Sequence, residues 1–136
     1  MKKRITTVVL SMVLVAAMAM AIPTKASAVV KNEVIYLGSS SYEMTLNGNV
    51  LSSTQTKASL YLEHKSGVVL NVLDGFVESH AYDSAGISKG YSRVNYEKYN
   101  TSSFTVTTTF SCSGGVVTTQ AKCKINGISR ETQQGT

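Results

Sequence analysis

Phe104-Thr105-Val106-Thr107-Thr108-Thr109-Phe110-Ser111-Cys112, followed after Ser113-Gly114-Gly115 by Val116-Val117-Thr118-Thr119-Gln120-Ala121-Lys122-Cys123-Lys124-Ile125, carries the plainest pattern in the chain. In an extended backbone successive side chains point to opposite faces. Phe104, Val106, Thr108, Phe110 and Cys112 then share one face, and Thr105, Thr107, Thr109 and Ser111 the other. On the second segment Val117, Thr119, Ala121, Cys123 and Ile125 oppose Val116, Thr118, Gln120, Lys122 and Lys124. The period is two, the signature of half-buried strands. A two-residue loop within Ser113-Gly114-Gly115 would join them as a hairpin with both apolar sets on one side.

The same grammar extends backwards. Tyr42, Met44 and Leu46 alternate before Asn47-Gly48, a dipeptide suited to a tight hairpin turn. Leu60 and Leu62 alternate before Ser66-Gly67, and the apolar run Val68 to Leu73 reads as a central strand ending at Asp74-Gly75. Strands from Phe76 to Tyr82 and from Ile87 to Tyr99 follow, the latter with Val94 and Tyr96 opposite Arg93, Asn95 and Glu97. No window carries a helical stripe beyond the N-terminus. Seven or eight short strands predict an all-β domain over residues 29–128: a single antiparallel β-sandwich of Ig-like or Greek-key type, or a small barrel. A polar tail is expected over 129–136.

The N-terminus obeys a different logic. Lys2, Lys3 and Arg4 precede the apolar run Ile5 to Ile22, and Pro23 leads to Ala26-Ser27-Ala28. Charge, apolar core and small residues two apart are the parts of a cleavable export signal. Residues 1–28 are therefore expected to be a signal-peptide helix cut after Ala28, with Ala26 and Ala28 at the positions the peptidase reads. The alternative is an uncleaved anchor, since the run is long enough to span; Thr6, Thr7, Ser11 and the small-residue motif weigh against it. The leader looks bacterial. The expected location is extracellular, or the periplasm in a two-membrane cell.

Removal of the leader changes the charge. Four of the 13 cationic residues leave with it, so nine Lys or Arg face eight Asp or Glu, scattered along the chain. No basic face of the kind nucleic acid needs is visible. Nucleic acid is not an expected partner.

Cys112 and Cys123 are the only cysteines. Export favours a disulfide between them. A hairpin turning at Gly114-Gly115 opposes it, because it sets the two about 20 Å apart along the ladder, far beyond disulfide reach. The question stays open, with the export argument the heavier.

Catalytic and metal signals are sparse. His64 and His80 are the only histidines. Glu78 and His80 share a strand face without a third ligand, and a solvent-facing pair is the plainer reading. Glu63, Asp74, Glu78 and Asp83 could in principle supply paired carboxylates, but no motif unites them, and no serine lies in a nucleophile-elbow pattern. No enzymatic activity, cofactor or metal is expected. Tyrosine is the more informative residue: there are seven and no tryptophan, and Tyr82, Tyr91, Tyr96 and Tyr99 fall within 18 residues. Tyr offers a flat apolar face with a polar tip, which suits recognition. The expected function is that of a secreted binding module for an extracellular ligand, a wall glycan or a protein, through these four tyrosines. The alternative is a membrane-active toxin or antimicrobial using the amphipathic hairpin of residues 104–125. Self-association through edge strands is also expected, because the segment after Ala28 contains no proline to blunt an edge.

Overall fold

The structure, a computed structural model, describes residues 28–132. Residues 1–27, which hold all but the last residue of the signal peptide expected over 1–28, and the last four residues lie outside the described part. Eight strands make up nearly all of it: β1 (Val29–Leu37), β2 (Ser40–Ser52), β3 (Gln55–Glu63), β4 (Leu70–Tyr82), β5 (Ser88–Thr101), β6 (Ser103–Ser111), β7 (Thr118–Ile125) and β8 (Ile128–Glu131). There is no helix among the described residues. Two antiparallel four-stranded sheets result, in the orders β1-β2-β3-β6 and β5-β4-β7-β8.

The two sheets bury their apolar faces in one core. Ile35, Tyr42, Met44, Leu46, Leu60 and Leu62 come from the first sheet, and Leu73, Val77, Tyr96, Ala121, Cys123 and Ile125 from the second. Period-two alternation is what makes this work: on β3 every even residue from Thr56 to Leu62 is buried, and the odd residues are not. Burial of such side chains is the main stabilising term, about 1.5–3 kcal/mol for each large one. Polar groups inside are matched in pairs across the sheets. Thr56 Oγ1 lies 2.8 Å from Ser79 Oγ, and Ser92 Oγ lies 2.9 Å from Thr108 Oγ1. Among the described residues no buried side-chain nitrogen or oxygen lacks a hydrogen-bond partner.

Three turn assignments made from dipeptides are overturned. Asn47-Gly48 lies inside β2, not at a hairpin, and Gly48 pairs with Val29 on one side and Ala58 on the other. Its parity points inward, following Tyr42, Met44 and Leu46. A Cβ there would stand 3.2 Å from Thr119 Cγ2 and 3.3 Å from the Ala121 nitrogen of the opposite sheet. Glycine here allows two sheets to approach; the chain turns instead at Ser53-Thr54, where the Thr54 N–H donates to Ser52 Oγ (3.2 Å).

Asp74-Gly75 likewise runs through the middle of β4. A Cβ on Gly75 would lie 1.7 Å from the Lys124 carbonyl oxygen, the acceptor for the Tyr96 hydroxyl at 2.9 Å. The run before it does belong to a central strand, since β4 has β5 and β7 on its two sides, although Val68 and Val69 remain in the preceding loop.

The third correction concerns the segment that reads most clearly. β6 and β7 do not pair: β6 lies beside β3 in one sheet and β7 beside β4 in the other. Residues 112–117 are a crossing between sheets, tied down by the Cys112 and Val116 N–H groups donating to the Thr54 and Ser53 carbonyls. Inward parity is the same for a hairpin and for a crossing, because both sheets direct their apolar faces to one core. Asn126-Gly127, by contrast, is the two-residue turn its sequence announces, with φ of 45° and 86°. It launches β8, so Ser129 to Glu131 form an edge strand, not the start of a free tail, and Thr132 beyond it is buried.

Candidate functional site

The second sheet carries the chemistry on its outer face. Register places Tyr91, Arg93, Asn95, Glu97 and Tyr99 of β5 on that side, beside His80, Glu78, Phe76 and Asp74 of β4 and Gln120, Lys122 and Lys124 of β7. A linked row of side chains runs down the middle. The Tyr91 ring stacks on His80 with centroids 4.8 Å apart and planes 17° from parallel. His80 Nε2 lies 2.7 Å from Glu78 Oε2. A carboxylate only accepts, so Nε2 carries the hydrogen. Arg93 grips the other Glu78 oxygen through Nε and Nη2, and its guanidinium lies 3.9 Å above the centroid of the Phe76 ring.

These contacts explain why Glu78 is only 4% exposed although it faces outwards. The pair read from sequence as a solvent-facing Glu and His is covered by Arg93, which reaches across from β5, and His80 is covered by Tyr91. Burial by itself pushes the Glu78 carboxyl up, but the hydrogen bonds from His80 and Arg93 and their charge outweigh it and hold it below the usual carboxylate range.

Three of the four expected tyrosines share this face. Tyr91 and Tyr99 are 55% and 60% exposed at the two ends of β5's row, and the Tyr99 hydroxyl donates to Glu97. Tyr82, on β4, is half-buried and donates to Gln120 Oε1 at 3.2 Å. Tyr96 is the exception, because its even parity turns it into the core, where burial raises its phenol pKa. What sequence reasoning missed is the partner set from β4: Phe76, Glu78 and His80 become neighbours of the tyrosines only once β4 and β5 are in register. Their spacing of two was the available signal.

Between the tyrosines, towards the β4–β5 end that holds Asp74, a groove of about 670 Å³ opens beside Asp74, Phe76, Asn95, Glu97 and Lys124, with Gly75, Tyr96 and Gly127 at its walls. Asp74 and Glu97 face each other directly across β4 and β5. The other sequence-flagged carboxylates are elsewhere: Glu63 accepts from Tyr61, and Asp83 holds its own loop by accepting from the Ala85 and Ile87 N–H groups. Among the described residues no three His, Cys, Asp or Glu side chains converge as a metal site would require.

Both cysteines are free thiols. The inter-sheet crossing explains this: Cys112 follows β6 in one sheet, while Cys123 sits in β7 in the other, buried against Met44 with sulfurs 4.0 Å apart. Burial pushes the Cys123 thiol up to about 11. Among the described residues no helix is long and apolar enough to cross a membrane. Comparison of the chain with protein-family models and with curated proteins finds no match.

Proposed function

We propose that this is a secreted, non-catalytic bacterial binding module of sandwich type, and that its ligand lies along the outer face of the β5-β4-β7-β8 sheet. The observation that carries the reading is the co-facial placement of Tyr91 and Tyr99 at the two ends of one strand, with Arg93, Asn95 and Glu97 between them. Eight residues of strand separate the two rings by about 27 Å. That span suits an extended polar polymer, and a wall glycan fits it best: sugar faces stack on exposed rings, and hydroxyls meet the mixed donors and acceptors of the groove. Exposed rings on a pre-formed strand lose little freedom on binding. The interleaving of Arg93, Lys122 and Lys124 with Glu78, Glu97 and Glu131 disfavours a polyanion such as nucleic acid.

The catalytic alternative draws no support from Glu78, His80 and Arg93, which satisfy one another. The membrane-active alternative rested on a β6–β7 hairpin, and those strands belong to different sheets.

Co-sedimentation of the secreted protein with purified wall polysaccharide tests the proposal. Tyr91→Ala and Tyr99→Ala are each expected to weaken binding by at least about 1 kcal/mol, roughly fivefold, as buried tyrosine anchors do. Thr45→Ala, on the opposite sheet's outer face, leaves it unchanged. Equal binding by all three variants and the parent would sink the assignment of this face.

A further inference from the structure

Four strands form sheet edges: β1, β6, β5 and β8. Three of them carry the charges that commonly protect an edge from pairing. β1 has Lys31 and Glu33, β5 has Lys89, Arg93, Glu97 and Lys98, and the four-residue β8 has Arg130 and Glu131. β6 has none. Its nine residues, Ser103–Ser111, contain no charge, no proline and no glycine, and among the described residues it has β3 on one side and no strand on the other. An unprotected edge of that length is a template for another strand.

The order of residues in β6 says which strand. Read forwards it is Ser-Phe-Thr-Val-Thr-Thr-Thr-Phe-Ser, and read backwards Ser-Phe-Thr-Thr-Thr-Val-Thr-Phe-Ser. The two differ only in the exchange of Val106 and Thr108. We infer that β6 is the interface of a two-fold dimer, in which it pairs antiparallel with β6 of a second copy about Thr107.

In that register Ser103 faces Ser111 of the second copy, Phe104 faces Phe110, Thr105 faces Thr109, and Thr107 faces itself. The exposed row becomes a ladder of Thr–Thr and Ser–Ser pairs, which are favourable cross-strand neighbours, with no like charges opposed. Phe104 and Phe110, half-buried in the single chain, meet across the seam on the core side. The interface is isologous, as two-fold closure requires. The axis runs perpendicular to the joined sheet, so both tyrosine-bearing faces look the same way. The dimer stands whether or not those faces bind a glycan.

Analytical ultracentrifugation of the secreted protein and engineered disulfides test it together. The parent is expected to sediment as a dimer at micromolar concentration. Thr105→Lys with Thr109→Lys opposes lysines twice and weakens the dimer roughly a hundredfold or more, while Thr105→Lys with Thr109→Glu, paired across the axis, restores it. Thr107→Cys places two sulfurs at the axis within disulfide range and cross-links under mild oxidation, whereas Thr105→Cys, about 14 Å from its copy, does not. All substituted positions are exposed, so the native fold is checked by an unchanged circular dichroism spectrum. A monomeric parent, a dimeric double-lysine variant, or equal cross-linking at 105 and 107 would each overturn the inference.

Discussion

Glu78 shows how one strand residue can be buried on the side of a sheet that carries no second layer among the described residues. Its carboxylate is closed in by His80 on its own strand and by Arg93 from the next, and the Arg93 guanidinium is steadied by Phe76. Charge-assisted hydrogen bonds of this kind contribute on the order of 1–3 kcal/mol, less where a partner such as Arg93 is half exposed. The sign of the pH dependence follows from the depressed carboxyl pKa. A group that is more acidic folded than unfolded adds stability above the unfolded value, and that stability is lost as pH falls through the folded value. Glu33, held low by Arg130 and Lys31 against the upward push of its own burial, acts in the same direction. The urea midpoint is therefore expected to fall as pH drops below the ordinary carboxylate range. Glu78→Gln lowers the midpoint at neutral pH and flattens part of the acid slope, leaving the part due to Glu33; an unchanged slope would show that the cluster contributes nothing.

Single strands carry a second lesson in β8 and the residue after it. The Thr132 hydroxyl accepts from the Ala121 N–H at 2.9 Å, and its own N–H donates to the Ala121 carbonyl. Thr132→Val keeps the shape and strands a buried N–H, which costs about 1–3 kcal/mol. Urea denaturation is expected to show that loss, whereas a residue in a free tail would show none. Polarity misled the sequence reading here, because Ser129-Arg130-Glu131 is polar for the reason edge strands are. The alternation within strands was legible throughout, from Tyr42-Met44-Leu46 to Ala121-Cys123-Ile125. Turn dipeptides were legible only in part: Ser66-Gly67 and Asn126-Gly127 turn, but Asn47-Gly48 and Asp74-Gly75 use the same glycine to admit a neighbour, and only the surrounding strands distinguish the two uses. The tyrosine face was half legible. Parity was enough to set Tyr96 apart from Tyr91 and Tyr99, yet the expected site grouped it with them, and the places of Glu78, His80 and Phe76 needed the β4–β5 register.

At the scale of the molecule, the chain changes sheet after β3, after β5 and again after β6, and the two central pairs interlock: β3 takes β6 as its neighbour, and β4 takes β7. β3 thus waits 40 residues of chain for its second partner, and the core needs Cys123 and Ile125 to close over Met44 and Val77. Domains dominated by such distant pairings fold in milliseconds to seconds. Stopped-flow refolding is expected in that range, and a chain ending at Cys112 is expected to give no cooperative unfolding transition.

A ribosome delivers such a chain front end first, and the interlock makes the order of arrival matter. The β1-β2-β3 meander emerges with one oily side uncovered and nothing yet available to shield it. Until residue 125 is out, the part of the core that β7 supplies is missing, so the nascent polypeptide stays exposed until it is nearly finished.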